Sequence, residues 1–317
     1  MTETQPLDVP AVPAEGPLRA SWRILRRNRF AMVGMVFFVA FFVCALLGVI
    51  LTSGRNPIMD PSTVRLEERL KSPLTAYNSE EIDLKHRPPF GCYLLGTDQL
   101  GRDVFSRMLQ GAWVSLTVGF VAVGISVAIG ILLGGLAGYF GRWVDATIMR
   151  IVDVMLCIPG FILILIVLAI WGPGLFKIMV VVGLTGWMGT TRFVRAEFLS
   201  LRKQDFVSAA RALGARNLRI IFRHMLPNAL APVLVSATIG IAGTILVEAG
   251  LSFLGFGVPP PHATWGKILS AGRNYLFDAP WLTYIPGLAI LIVVLSFNLF
   301  GEGLRDASNP KLRERGA

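Results

Sequence analysis

Apolar runs of bilayer length alternate with short polar segments along this chain. A helix that crosses the ~30 Å hydrocarbon core needs about 20 predominantly apolar residues. On that rule the pattern predicts six spans, at Phe30 to Leu51, Ala112 to Tyr139, Ile148 to Trp171, Phe176 to Arg195, Asn228 to Val247 and Tyr284 to Phe300. In the fourth only Ile178 to Thr191 is uncharged, and Lys177 and Arg192 extend it by snorkelling outward. The fold class is therefore an all-α membrane protein.

The first run is too long for the roughly 7 to 15 residue core of a secretory signal and ends in no small-residue cleavage site, so it reads as an uncleaved span. The stretch up to Pro17 is rich in proline and acid and reads as a disordered tail.

Charge sets the orientation. Arg19, Arg23, Arg26, Arg27 and Arg29 precede the first span. A second cluster follows the fourth: Arg192, Arg195, Arg202, Lys203, Arg211, Arg216, Arg219 and Arg223 against only Glu197 and Asp205. Short loops rich in Lys and Arg stay cytoplasmic, and an even number of spans returns both termini to that side. Residues 1–29 and 305–317 become cytoplasmic tails, and 112–304 a five-helix core with a cytoplasmic loop at 204–228. The opposite side receives Thr52 to Gly111, where eight basic residues are balanced by eight acidic ones. A second external loop, Glu248 to Thr283, carries Pro259, Pro260 and Pro261, which forbid a regular helix there.

The formal net charge of +10 does not point to nucleic acid. Phosphate-binding residues share a continuous face, whereas here the apolar runs separate them. Cys44, Cys92 and Cys157 form no disulfide framework or paired-cysteine site. His86, His224 and His262 lie in three segments with no second ligand at metal spacing. No phosphate-cradling loop occurs, since Ile268 follows Gly266 and Lys267, and no hydrolase or zinc-protease motif is present. The chain is expected to be non-catalytic and to carry no cofactor.

Gly119, Gly124, Gly130, Gly134, Gly135 and Gly138 crowd the second span. Small residues let helices approach closely in lipid, so this span belongs inside the bundle. Between the fourth and fifth spans, Phe206, Ala209, Ala210 and Leu213 recur at helical spacing while Arg211, Arg216, Arg219 and Arg223 supply a polar side. Gly214 splits the segment into two short helices. From these residues alone, an apolar knuckle docking into a partner and an interfacial helix resting on headgroups are both open.

The order Ala209, Ala210, Gly214, Leu226, Pro227 resembles the Glu-Ala-Ala loop of ATP-binding-cassette (ABC) importer permeases, with Ser208 standing for the Glu and His224 for an Ile further on. Leu95 to Arg107 followed by Gly111-Ala112 is similar to the external segment before the second span in the C-type permeases for dipeptides, oligopeptides and nickel. Leu251 to Gly257 with Pro260, Pro261, Trp265 and Gly266 looks like the same family's loop after span five, with Pro259 and Ala263 departing from it; Gly301 to Asp306, then Asn309 to Lys311, is similar to its ending. The resemblance covers roughly residues 20 to 315.

That resemblance implies the six-span architecture of type I importers and a coupling helix at Ser208 to Gly214. Asp205, Ser208, Ala209, Ala210, Leu213, Gly214, Ala215, Leu226 and Pro227 would form the interface to an ATPase subunit. The implied partners are a second homologous permease, two cytoplasmic ABC ATPase subunits that hold ATP and Mg, and an extracytoplasmic substrate-binding protein. The implied cargo is short peptides, or a nickel chelate or another small solute on the same architecture, and the implied location of the chain is the inner membrane.

Two charged groups keep alternatives open. Glu248, with Ser252 and Phe253 beside it, serves either the pathway or gate or a structural pairing. Asp98, Arg102, Asp103 and Arg107 form either a solvated helix cap with mutual ion pairs or a dock for the delivery protein. Asp145, Arg150 and Asp153 are expected to pair at the helix end around the third span. A secondary transporter would show an internal repeat or intramembrane charges, and a membrane enzyme would show clustered polar side chains at depth; the sequence shows neither.

Overall fold

The computed structural model describes residues 17–54, 57–77 and 90–308. Expectations placed on residues 1–16, on His86 and on Asn309 to Lys311 lie outside them. The described chain is a helical bundle. Helix α1 (Pro17–Arg27) precedes α2 (Arg29–Thr52), whose N-terminus Asn28 caps by accepting the Ala31 N–H. A long loop follows, with a two-residue hairpin of β1 (Thr75–Ala76) and β2 (Cys92–Tyr93) paired antiparallel. Then come α3 (Val104–Phe140), α4 (Arg142–Leu156), α5 (Gly160–Trp171) and α6 (Leu175–Leu201). The short α7 (Asp205–Ala212) and α8 (Asn217–Arg219) lead through a π-helical turn, Ile220–Met225, into α9 (Leu226–Phe253). Helices α10 (Trp265–Gly272) and α11 (Trp281–Ser308) complete the chain.

Among the described residues, four helices are long and apolar enough to cross a membrane: α2, α3, the segment Asn217–Phe253 that includes α9, and α11. The third expected span is not one rod. It is α4 and α5, bent by 77° at the break between them. Pro159 is the cause: it has no N–H to donate, and it disfavours helical backbone at Ile158 before it. The fourth expected span is α6, 27 residues long and still carrying charges at both ends.

Helix α3 lies inside the bundle, against α2, α4, α6, α9 and α10. Its contact with α6 is made by missing side chains. A Cβ on Gly130 would stand 2.5 Å from a Thr190 side-chain carbon, one on Gly134 2.5 Å from the Thr191 carbonyl, and one on Gly138 2.5 Å from the Phe198 Cβ. Gly183 of α6 returns the arrangement against Ile125 of α3. Dispersion and close backbone approach, rather than water exclusion, hold such a pair in lipid. At the far end of the chain Gly303 of α11 sits where a Cβ would reach 2.2 Å from that of Ala31, so α11 also closes onto the start of α2.

Candidate functional site

At the end of the bundle where α3 terminates, the chain builds a small projecting hairpin. Val207 and Ala210 of α7 are buried with Tyr139, Phe198, Ile220, Met225 and Val233, which anchors the helix to α3, α6 and α9. Leu213 closes α7, Gly214 turns left-handed at φ +77°, and Ala215 returns its N–H to the Ala210 carbonyl at 3.1 Å while Gly214 bonds to Arg211 at 3.0 Å. Both bonds satisfy carbonyls that the helix end would otherwise orphan. The Tyr139 hydroxyl donates to Asn217 Oδ1 at 2.8 Å and ties the second arm to α3. Pro227 supplies no N–H near the start of α9, and the preceding turn widens to a π pattern, with Leu226 bonding to Ile221.

The apolar set expected on one face of this hairpin divides in two. Ala210 joins Val207 on the inner side, whereas Phe206, Ala209 and Leu213 stay exposed, Leu213 at 87%. Asp205, Ser208, Gly214 and Pro227 are also exposed, and Ala215 and Leu226 are half-buried. Nothing lies within 4 Å of a Cβ placed on Gly214. The hairpin is thus anchored on one side and apolar and uncovered at its tip.

A cleft of about 520 Å³ opens between α3, α5, α6 and α9. Serine, threonine, glycine and aliphatic side chains line it, together with Phe161, and no ionisable group does. Its volume falls in the range of sites that take small organic molecules.

At the opposite end of α3, the long loop packs onto the bundle. Asp98 accepts from the N–H of Leu100 and of Arg102, receives the Arg102 guanidinium at 2.8 Å, and faces Arg107 Nε at 3.4 Å. Arg107 also donates to the Pro61 carbonyl, and Asp103 caps α3 through the N–H of Phe105 and of Ser106. Of the two readings the sequence left open, the helix cap with mutual ion pairs is present, but Asp98, Asp103 and Arg107 are all buried, so it is an internal clamp and not a solvated one. Burial pushes the Asp103 carboxyl above its ordinary range, against the hydrogen bonds that pull it down. Gly101 turns at φ +71°, and a Cβ there would stand 1.6 Å from the Arg65 carbonyl oxygen.

Glu248 sits near this end, 1% exposed. It accepts from Ser252 Oγ at 2.7 Å and from Ser115 Oγ at 3.4 Å, and Ser252 Oγ lies 3.2 Å from the Thr264 hydroxyl. Beside it Ala263 donates to Gln110 and the Trp265 indole to the Met108 carbonyl. Glu248 and Ser252 thus join α3, α9 and the loop before α10, and neither lines the cleft. Phe253 is partly exposed, beneath the Arg273 guanidinium.

Residues 16–73 match the model of the N-terminal transmembrane domain of oligopeptide transport permease C. Residues 130–314 match that of the binding-protein-dependent transport system inner membrane component. The chain belongs to this family. It is 40% identical to a dipeptide transport system permease protein of Alkalihalophilus pseudofirmus, over 95% of this chain and 92% of that one. Identity is 37% to a di/tripeptide transport system permease protein of Pseudomonas aeruginosa, over 97% of each. A chain of the inward-facing MetNI methionine ABC transporter superposes with a TM-score of 0.52 over 65% of this chain and 98% of its own; at 23% identity it shows the fold alone.

This permease is thus an integral inner-membrane component of an ABC importer. Two features of it escaped the sequence reading. Asp145 and Asp153 of α4 do not pair along their own helix; they meet Arg195 and Arg192 of α6, 50 and 39 residues away. The cleft was also missed, because its serines, threonines and glycines carry no spacing that separates them from packing residues.

Proposed function

We propose that the permease pairs with a second, homologous permease to enclose a passage for short peptides, and that the cleft between α3, α5, α6 and α9 is its share of the wall. Peptides reach it from an extracytoplasmic substrate-binding protein. Helix α7 is the coupling helix, seated in a groove on one of two cytoplasmic ABC ATPase subunits, which hold ATP and Mg. Both termini of the permease are cytoplasmic. Closure of the ATPase pair pushes α7, and the anchors of Val207 and Ala210 pass that displacement to α3, α6 and α9.

The observation that carries the reading is the divided surface of α7: two residues locked into the chain's own core, and Phe206, Ala209 and Leu213 left uncovered at its tip. A rigid element packed at one end and apolar at the other suits mechanical coupling to a partner. The peptide class is supported by the relatives named for dipeptides and di/tripeptides.

The test is co-purification. Ala209→Arg and Leu213→Asp place a charge on the uncovered tip without touching the anchor. Both variants are expected to yield a folded permease pair that no longer retains the ATPase subunits in detergent and no longer drives peptide uptake. Undiminished association and uptake would contradict the proposal.

A further inference from the structure

Glycines inside the helices of this chain differ in what surrounds them. Gly130, Gly134, Gly138 and Gly183 are in tight contact, so their missing side chains are explained by helix packing. Gly160, Gly189 and Gly243 are different: nothing lies within 4 Å of a Cβ on any of them, and all three line the cleft. Gly189 and Gly243 stand well inside α6 and α9, where glycine costs about 1 kcal/mol relative to alanine. Neither packing nor a left-handed backbone accounts for that cost; Gly124 and Gly287 are as open but lie off the cleft, whereas these three converge on one space from α5, α6 and α9.

A second observation points into the same space. Ser126 of α3 is 8% exposed, lines the cleft, and makes no hydrogen bond within the described residues. Its oxygen is not sealed off as those of Thr191 and Thr283 are, and an unpaired hydroxyl that opens into a cleft takes its partner from whatever fills that cleft. Thr190 and Ser236 add hydroxyls nearby, and no charged side chain reaches the cleft.

Resting on the reading of the cleft as one wall of a peptide passage, we propose that it selects by bulk and not by charge. Gly160, Gly189 and Gly243 set the bore, and Ser126 meets the polar backbone of the passing peptide. A charged terminus or side chain finds no counter-ion here, and stripping its water would cost several kcal/mol. The cargo therefore keeps part of its hydration as it passes. Acidic and basic dipeptides are treated alike, and the space left by the three glycines is what a bulky side chain needs.

The experiment uses the whole transporter in proteoliposomes, with ATP and saturating binding protein. Uptake is measured for diglycine, ditryptophan, dilysine and diaspartate. The double variant Gly189→Leu with Gly243→Leu is compared with Gly287→Leu, an equally open glycine on α11 that does not line the cleft. Wild-type rates for dilysine and diaspartate are expected to agree within about threefold, well under 1 kcal/mol of barrier. In the double variant ditryptophan uptake should fall at least about tenfold while diglycine stays within about twofold. Gly287→Leu should change neither, and Ser126→Ala should slow all four peptides together. Stimulation of ATP hydrolysis by the loaded binding protein reports that the double variant still assembles.

Equal loss of all four peptides in the double variant, or no loss of ditryptophan, would overturn the bore assignment, and a strong preference between dilysine and diaspartate would overturn charge indifference. A wild-type transporter that assembles with its ATPases but takes up no peptide would instead sink the peptide reading on which this inference rests.

Discussion

Arg195 of α6 grips Asp145 of α4 with two nitrogens, Nε on Oδ1 and Nη2 on Oδ2, the latter at 2.6 Å. The pair is only partly exposed and is set close to where α6 gives way to the hairpin of α7 and α8. A forked guanidinium–carboxylate contact fixes orientation as well as distance, so α4 follows any movement of α6.

Asp145→Asn leaves the shape and removes the charge. The expected loss is about 1–3 kcal/mol, read as a thermal midpoint in detergent that drops by about 2–4 °C for each kcal/mol. A charge exchange, Asp145→Arg with Arg195→Asp, should recover part of it. A midpoint unmoved by Asp145→Asn would show that the contact contributes nothing to holding α4.

Two glycines with the same backbone conformation should respond differently to alanine. Gly101 and Gly214 are both left-handed, at φ +71° and +77°. A Cβ on Gly101 overlaps the Arg65 carbonyl, whereas one on Gly214 meets open space. Gly214→Ala should therefore cost only the conformational penalty of about 1–2 kcal/mol, and Gly101→Ala should abolish the folded loop and lower the yield of intact permease. Equal midpoints for the two variants would contradict the packing described for the loop.

Lys267 of α10 donates to the Val258 carbonyl at 2.9 Å. Burial foremost, then the neighbouring Arg107 and Arg102, push its ammonium down to about 8. Between pH 8 and the unfolded value near 10.5 the unfolded chain holds a proton that the folded chain has released, so stability rises with pH across that window. The midpoint of the wild type should climb from pH 8 to 10 relative to that of Lys267→Met. Parallel pH profiles would refute the shift.

Four of the six expected spans were legible because membrane solvation demands long apolar runs, and the hairpin was legible because Gly214 interrupts the helical spacing of Phe206, Ala209, Ala210 and Leu213. The break at Pro159 was also written in the sequence, yet the apolar run from Ile148 to Trp171 concealed it. Pairings such as Asp145 with Arg195 had no local signal, since the partners are 50 residues apart. The cleft was illegible for another reason: Gly183 and Gly189 look alike in sequence, and only the packing shows that one meets Ile125 while the other faces open space.

The tip of α7 is expected to seat on an ATPase subunit at the cytoplasmic face. In a background where Cys44, Cys92 and Cys157 are replaced by serine, Leu213→Cys and Phe277→Cys each place one thiol on a highly exposed site, at 87% and 96%, at opposite ends of the bundle. In inside-out vesicles holding the assembled transporter, a short bifunctional thiol–amine reagent should join the ATPase subunits to the thiol at 213 and not to that at 277. Cross-linking through 277 instead, or through neither, would contradict the account.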